Sequence, residues 1–133
     1  MAATEVQTDE RAAIATVVQL YIDGASKGDS AKLKEAFHEE AWMFGSLSGQ
    51  RYDVPIGQLI EMTVSQPLDS DGGFNARIAS IEQVGDAATA RVEEEGCWGN
   101  VSFVTFLSLA KIDGSWKVVN KTFAHTGGEL PQG

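Results

Sequence analysis

Only one cysteine, Cys97, occurs in the 133 residues, which leaves no intramolecular disulfide and no cysteine-based metal cluster. Histidine is nearly as scarce. His38 and His125 stand far apart, and no metal-ligand spacing surrounds either. The expectation is a chain that works without metal or other cofactor. Basic side chains number 10 against 19 acidic ones, for a net charge of −9. An excess of that sign repels nucleic acid and anionic membrane, since both need a basic face, so neither is expected as a partner. No run approaches the roughly 18 apolar residues of a membrane span. The opening MAATEVQTDE has no basic stretch followed by an apolar one, so no secretory signal is expected. A cytoplasmic protein is the resulting expectation, and a lone reduced thiol is compatible with it.

What is present is ordinary globular material. Hydrophobic residues make up 43% of the chain, enough for a core without disulfides at this length, and one domain is expected over 1–133 with flexible ends at about 1–8 and 126–133. Ile14, Val17, Val18, Tyr21, Ile22 and Ala25 recur at the spacing of one helical face. Thr8 or Asp9 is placed to cap that helix, and Gly28 to end it in the left-handed conformation that glycine adopts cheaply. Asp29 and Ser30 then start a short second helix carrying Leu33, Ala36 and Phe37 inward. Ala41 to Phe44 reads as a strand returning through Gln50 to Tyr52. Asp53 and Pro55 read as an N-cap and an early-turn proline for a third helix bearing Ile56, Leu59, Ile60, Thr63 and Val64. Four strand-like runs follow, Phe74 to Val84, Ala87 to Glu95, Val101 to Ile112 and Ser115 to Phe123. Helices first and meandering strands afterwards give an α+β class rather than alternating βαβ units.

In the run from Val101 to Ala110, Phe103, Leu107 and Leu109 point one way while Val104, Phe106 and Ala110 point the other. A sheet covered by helices on one side is normally polar on the other. A second copy of the chain is the expected cover, making a homodimer.

Tyr21 to Asp29, followed by Leu33, Ala36-Phe37-His38 and Ala41, resembles the start of the Putative lumazine-binding family within the NTF2-like superfamily. Leu107 to Phe123, with the turn Asp113-Gly114, Trp116 and Asn120-Lys121, is similar to that family's closing hairpin. Between these anchors the likeness is one of element order. The strand before the hairpin often has Asp-Tyr where this chain has Thr105-Phe106, so a role for that acid does not transfer. The resemblance implies a cone of three helices packed on a curved, mostly antiparallel sheet, with a pocket and frequent dimers. The same superfamily holds SnoaL-like and ketosteroid-isomerase-like enzymes. The isomerase needs an Asp base and an oxyanion hole made of a Tyr and a protonated Asp. Here the positions for the acids resemble Gly45 and Phe106-Leu107, so that specific mechanism is not expected.

Within a cone, several residues become candidates for a site. Tyr21 fills the core or donates its phenol to a ligand carbonyl. Glu94 shares a strand face with Ala88, Ala90 and Val92. If that face is concave it enters the pocket as a general base; otherwise it is a solvated strand end. Trp42, Phe44 and Trp98 are core, interface or ligand-stacking aromatics. Asn120 shares a face with Trp116 and Val118 and is an orienting amide if that face is concave. Asp53 is an N-cap or a pocket acid, and His38 a helix C-cap or a ligand contact. Cys97 reads as a buried inert thiol and His125 as a surface residue. The functional expectation is a protein that binds a small hydrophobic or aromatic ligand, as a cofactor-independent isomerase, dehydratase or cyclase with Glu94 and Tyr21 in the acid–base roles. The alternative is a non-catalytic dimerisation or interaction module whose cone is filled by side chains.

Overall fold

The computed structural model describes residues 9–129. Three helices and seven strands follow in the order α1 Arg11–Lys27, α2 Ser30–Ala36, β1 Phe37–Leu47, β2 Gln50–Arg51, β3 Val54–Pro55, α3 Ile56–Ser65, β4 Asn75–Val84, β5 Ala87–Cys97, β6 Val101–Ile112 and β7 Ser115–Gly127. The sheet runs β2-β1-β7-β6-β5-β4, with β3 paired to β1. β1 and β7 are parallel and the other pairs antiparallel. This is the α+β cone: helices lie across the inner face of a curved, mixed sheet that does not close.

The periodic face of α1 is the buried one, with Ile14, Val18, Tyr21, Ile22 and Ala25 all buried. Burial of such a stripe, more than intrinsic propensity, holds a helix of this length in place. Gly28 ends α1 at φ 70°. The carboxylate of Asp29 caps α2 by accepting from the Ala31 and Lys32 amides. Glu10, not Thr8 or Asp9, occupies the cap position of α1; the Asp9 carboxylate accepts from the Arg11 amide, and Thr8 lies outside the described residues. The expected flexible ends fall mostly outside them too, although β7 continues through Gly127.

Two local expectations are corrected. Phe37 and His38 are not the end of α2 but the start of β1, which is extended from Phe37 onward. Asp53 does not cap α3. The helix begins at Ile56 behind Pro55, and no side chain caps it, while Asp53 is held by Arg51 at 2.6 Å. A guanidinium two residues away outcompetes backbone amides three residues ahead for the same carboxylate.

Irregularities in the sheet decide which side chains face inward. In β7, Trp116 and Val118 are buried, and then the register against β6 slips between Leu109↔Val118 and Ser108↔Asn120. Val119 is the extra residue of a bulge, and a bulge inverts the alternation beyond it. Lys121 therefore points inward and Asn120 outward. At Gly45 the sheet needs the missing side chain, because a Cβ there would run into the Phe123 ring lying across the strand.

Candidate functional site

Four polar or charged residues are buried among the core: Thr63, Glu94, Thr105 and Lys121. Thr63 is satisfied within its own helix by the Leu59 carbonyl. The other three converge on one region where β5, β6 and β7 face α1. Glu94, 1% exposed, continues the inward row Ala88, Ala90, Val92 along β5. Its Oε2 accepts the Tyr21 hydroxyl at 2.7 Å, and its Oε1 accepts the Thr105 hydroxyl at 2.6 Å. Burying a carboxylate costs several kcal/mol unless hydrogen bonds replace its water. Each oxygen here has one short O–H···O bond in the range of charge-assisted pairs.

Tyr21 is fully buried, its ring meeting Phe37 edge-on. Burial, and next the adjacent Glu94 charge, push its phenol well above the ordinary value of 10.0, so it stays a donor. Lys121 comes from β7. Its ammonium lies 5.0 Å from the Tyr21 ring centroid and 5.5 Å from that of Phe123, within cation–π range. No hydrogen bond or ion pair joins it to another described residue. Burial lowers its pKa below 10.5, opposed by the Glu94 charge and Cys97. Cys97 is buried in the same region, and burial, with Glu94, pushes its thiol up to about 12. Such a thiol is a poor nucleophile.

Tyr21, Glu94 and Lys121 border a cavity of about 490 Å³, whose wall also includes Met43, Trp98 and Phe103. Its lining is mostly apolar; Tyr21, Glu94 and Lys121 are its buried polar residues from α1, β5 and β7, while Glu61, Thr63, Ser65 and Gln66 add polar groups from α3 and its end. Trp98 sits in the β5–β6 turn at φ 53°, with its indole N–H donating to the Gln66 carbonyl and its ring edge-on to Phe103.

Tyr21, Glu94 and Trp98 thus share one cavity. The other candidates do not join them. Trp42 and Phe44 stack on each other on the outer face, 43% and 39% exposed, because Ala41 and Met43 take the inward positions of β1. Asn120 is turned outward by the Val119 bulge, its amide oxygen accepting from Thr122. His38 accepts from the Glu40 amide on the strand, and Asp53 pairs with Arg51 at the surface. Lys121 and Thr105 had not been singled out. Thr105 was legible from the alternation of β6 with Phe103 and Leu107, and Lys121 from its parity with Phe123, had the strand been read from its far end. At the positions resembling the isomerase acids, Gly45 has no side chain, Phe106 points outward and Leu107 is apolar core.

Comparison with known proteins agrees with this geometry at the level of fold and family. The chain is 26% identical over 121 residues to the aldolase FrzH of Cladobotryum sp., covering 91% of this chain and 95% of that protein. An NTF2-like protein of unknown function from Methylobacillus flagellatus KT is 33% identical, with a TM-score of 0.80 over 90% of this chain and 94% of the other. Another, from Shewanella baltica OS155, is 32% identical with a TM-score of 0.78, over 88% and 94%. The family described as Putative lumazine-binding matches residues 9–124. With nearly the whole described chain covered and the cone architecture in common, this protein belongs to that family, within the NTF2-like superfamily.

Proposed function

We propose that the protein binds a small carbonyl compound with a hydrophobic or aromatic body and, without a cofactor, moves a proton at the carbon beside that carbonyl. Such a step is shared by isomerisation, dehydration, cyclisation and aldol chemistry, and the name of the FrzH relative is compatible with it. The observation that carries the proposal is the Tyr21–Glu94 hydrogen bond at the wall of the cavity. Glu94 is the base: two hydroxyls fix its carboxylate, which retains lone pairs for a substrate proton. The one hydroxyl proton of Tyr21 is hydrogen-bonded to Glu94 in the resting site. As Glu94 takes up the substrate proton, that hydroxyl turns from the carboxylate and becomes the donor to an oxygen that gains charge. Trp98 offers a fixed aromatic surface at the cavity wall. A cone filled by side chains is the less favoured alternative, since a cavity of about 490 Å³ with a buried ammonium beside it is not packed core.

The test is deuterium exchange at the α-carbon of 2-tetralone and phenylacetone, followed by NMR. Exchange above the buffer rate, lost by about 10²-fold or more in Glu94→Gln, supports the assignment. Exchange that persists unchanged in Glu94→Gln removes Glu94 as the base.

We further infer a homodimer through the outer sheet face. Phe44, Thr122 and Phe106 form one row across β1, β7 and β6, and Trp42 flanks it. Phe106 is 47% exposed. A second copy would cover this band isologously, together with the Arg91 guanidinium that lies 5.7 Å from the Phe106 ring centroid.

A further inference from the structure

Lys121 has no part in the proton transfer just described, yet its environment is unusual for a lysine. It is 8% exposed, borders the cavity, and its side chain makes no hydrogen bond or ion pair with any described residue. Its nitrogen is not among fully enclosed atoms left without a partner, so the amine of this buried residue reaches the open space of the cavity, where a ligand would sit. The neighbouring rings of Tyr21 and Phe123 hold the amine in place without consuming its hydrogen-bonding capacity. Glu94 and Tyr21 line the same cavity and are bonded to each other, with Thr105 bonded to Glu94 behind them. An amine, a carboxylate and a phenol are therefore brought to one apolar space.

We infer that Lys121 is a nucleophilic amine that forms an imine with the carbonyl carbon of the ligand. This deepens the reading of the cavity as a carbonyl site and rests on it. The neutral amine adds to the carbonyl carbon, forming the C–N bond while the oxygen takes a proton. The carbinolamine then loses that oxygen as water, giving the iminium. Abstraction of the α-proton by Glu94 yields an enamine; Glu94 then returns a proton to that carbon, restoring the iminium. Addition of one water to the iminium releases the carbonyl compound, the neutral amine and the proton taken up when the first water left. No oxidant or reductant enters the cycle. Burial acts in the required direction, since it disfavours the charged ammonium, while Glu94 and Cys97 oppose it. A purely electrostatic role, with the ammonium holding an anionic ligand, is the competing outcome.

The experiment uses the full chain and two carbonyl probes. 1-Phenylbutane-1,3-dione gives a stable vinylogous amide with a reactive amine, visible as a new near-ultraviolet band. Benzaldehyde with cyanoborohydride gives a reduced, mass-shifted adduct. Both adducts are located by peptide mapping. The expected result is labelling of Lys121 about tenfold or more faster than Lys27, Lys32, Lys34, Lys111 or Lys117, since its burial favours the neutral amine and the cavity holds the probe beside it. Lys121→Met and Lys121→Arg should lose the band. Because mapping is done on the unaltered chain, a variant that fails to fold does not spoil the test. Labelling no faster than at the surface lysines overturns the inference. So does a benzoate-competed site in which Lys121 is protected but never modified, which assigns the electrostatic role. The two readings separate cleanly. Exchange dependent on Glu94 without any Lys121 adduct sinks only the imine, and an adduct with exchange indifferent to Glu94→Gln sinks only the base.

Discussion

Tyr21 and Glu94 lie 73 positions apart in the chain and share one 2.7 Å hydrogen bond between α1 and β5. The bond ties the helical layer to the concave sheet at a point where neither residue meets bulk water. Thr105 supplies the second hydroxyl from β6.

Removing either hydroxyl should therefore cost stability. Tyr21→Phe and Thr105→Val each leave one buried carboxylate oxygen without its donor, a loss of about 1.5–3 kcal/mol for a bond to a charged group. The two donate to the two oxygens of one carboxylate, so the double variant should depart from additivity by about 0.5 kcal/mol or more. Urea unfolding measures all three. Midpoints that do not move would show the carboxylate to be solvated in solution, contrary to its burial.

The unequal legibility of this cluster has a physical basis. Glu94 could be placed from sequence because β5 alternates without interruption from Ala88 to Glu94. Tyr21 could be placed because α1 has one unbroken apolar stripe. Lys121 could not, since the Val119 bulge inverts β7 midway and an alternation counted from Trp116 selects Asn120 instead. Trp42 and Phe44 were misleading for a different reason. Size and aromaticity suggest burial, but Ala41 and Met43 take the inner face of β1, and a residue's neighbours in sequence do not say which face of a sheet is concave. The order and type of the long elements were readable from periodicity and turns, whereas His38 and Asp53 depended on boundaries shifted by a few residues.

Gly45 offers a second stability test. Any Cβ at this position meets the Phe123 ring, which borders the cavity. Gly45→Ala should destabilise by about 1–3 kcal/mol through overpacking. Pairing it with Phe123→Leu should return part of that loss, because the obstructing ring is gone. A fully additive double variant in thermal melts would refute the steric account.

The dimer makes a separate prediction. Phe106→Glu places a charge beside its own copy in the centre of the proposed interface, near the row shared with Phe44 and Thr122. Sedimentation should give about twice the 14.2 kDa chain mass for the unaltered protein and one chain mass for the variant. Far-ultraviolet circular dichroism should be unchanged, since Phe106 lies outside the core. An unaltered chain that sediments as a monomer would eliminate this assembly.

Alkaline pH should unfold the protein, and the buried groups around the cavity set the direction. Cys97 is pushed from its ordinary 9.0 up to about 12 by burial. Between those values the unfolded chain releases its thiol proton while the folded chain keeps it, so stability is complete below pH 9 and falls as pH rises. Tyr21 acts with the same sign above 10.0, its folded pKa being raised by burial and Glu94. Lys121 acts oppositely. Its folded pKa is lowered below 10.5, so the unfolded chain holds more protons there and the cost of burying it fades as pH climbs to that value. Stability should accordingly decline gently just above pH 9 and steeply above 10.5, where Lys121 no longer compensates. One fully differential proton sets a ceiling of about 1.4 kcal/mol per pH unit. Urea unfolding from about pH 8 to about pH 11 measures the slope. Cys97→Ala should start from a lower stability, through its cavity, but follow a shallower alkaline decline. Equal slopes for the two proteins would mean that the Cys97 proton is not retained on folding, and with it the closed, dry character of this corner of the cone would fail.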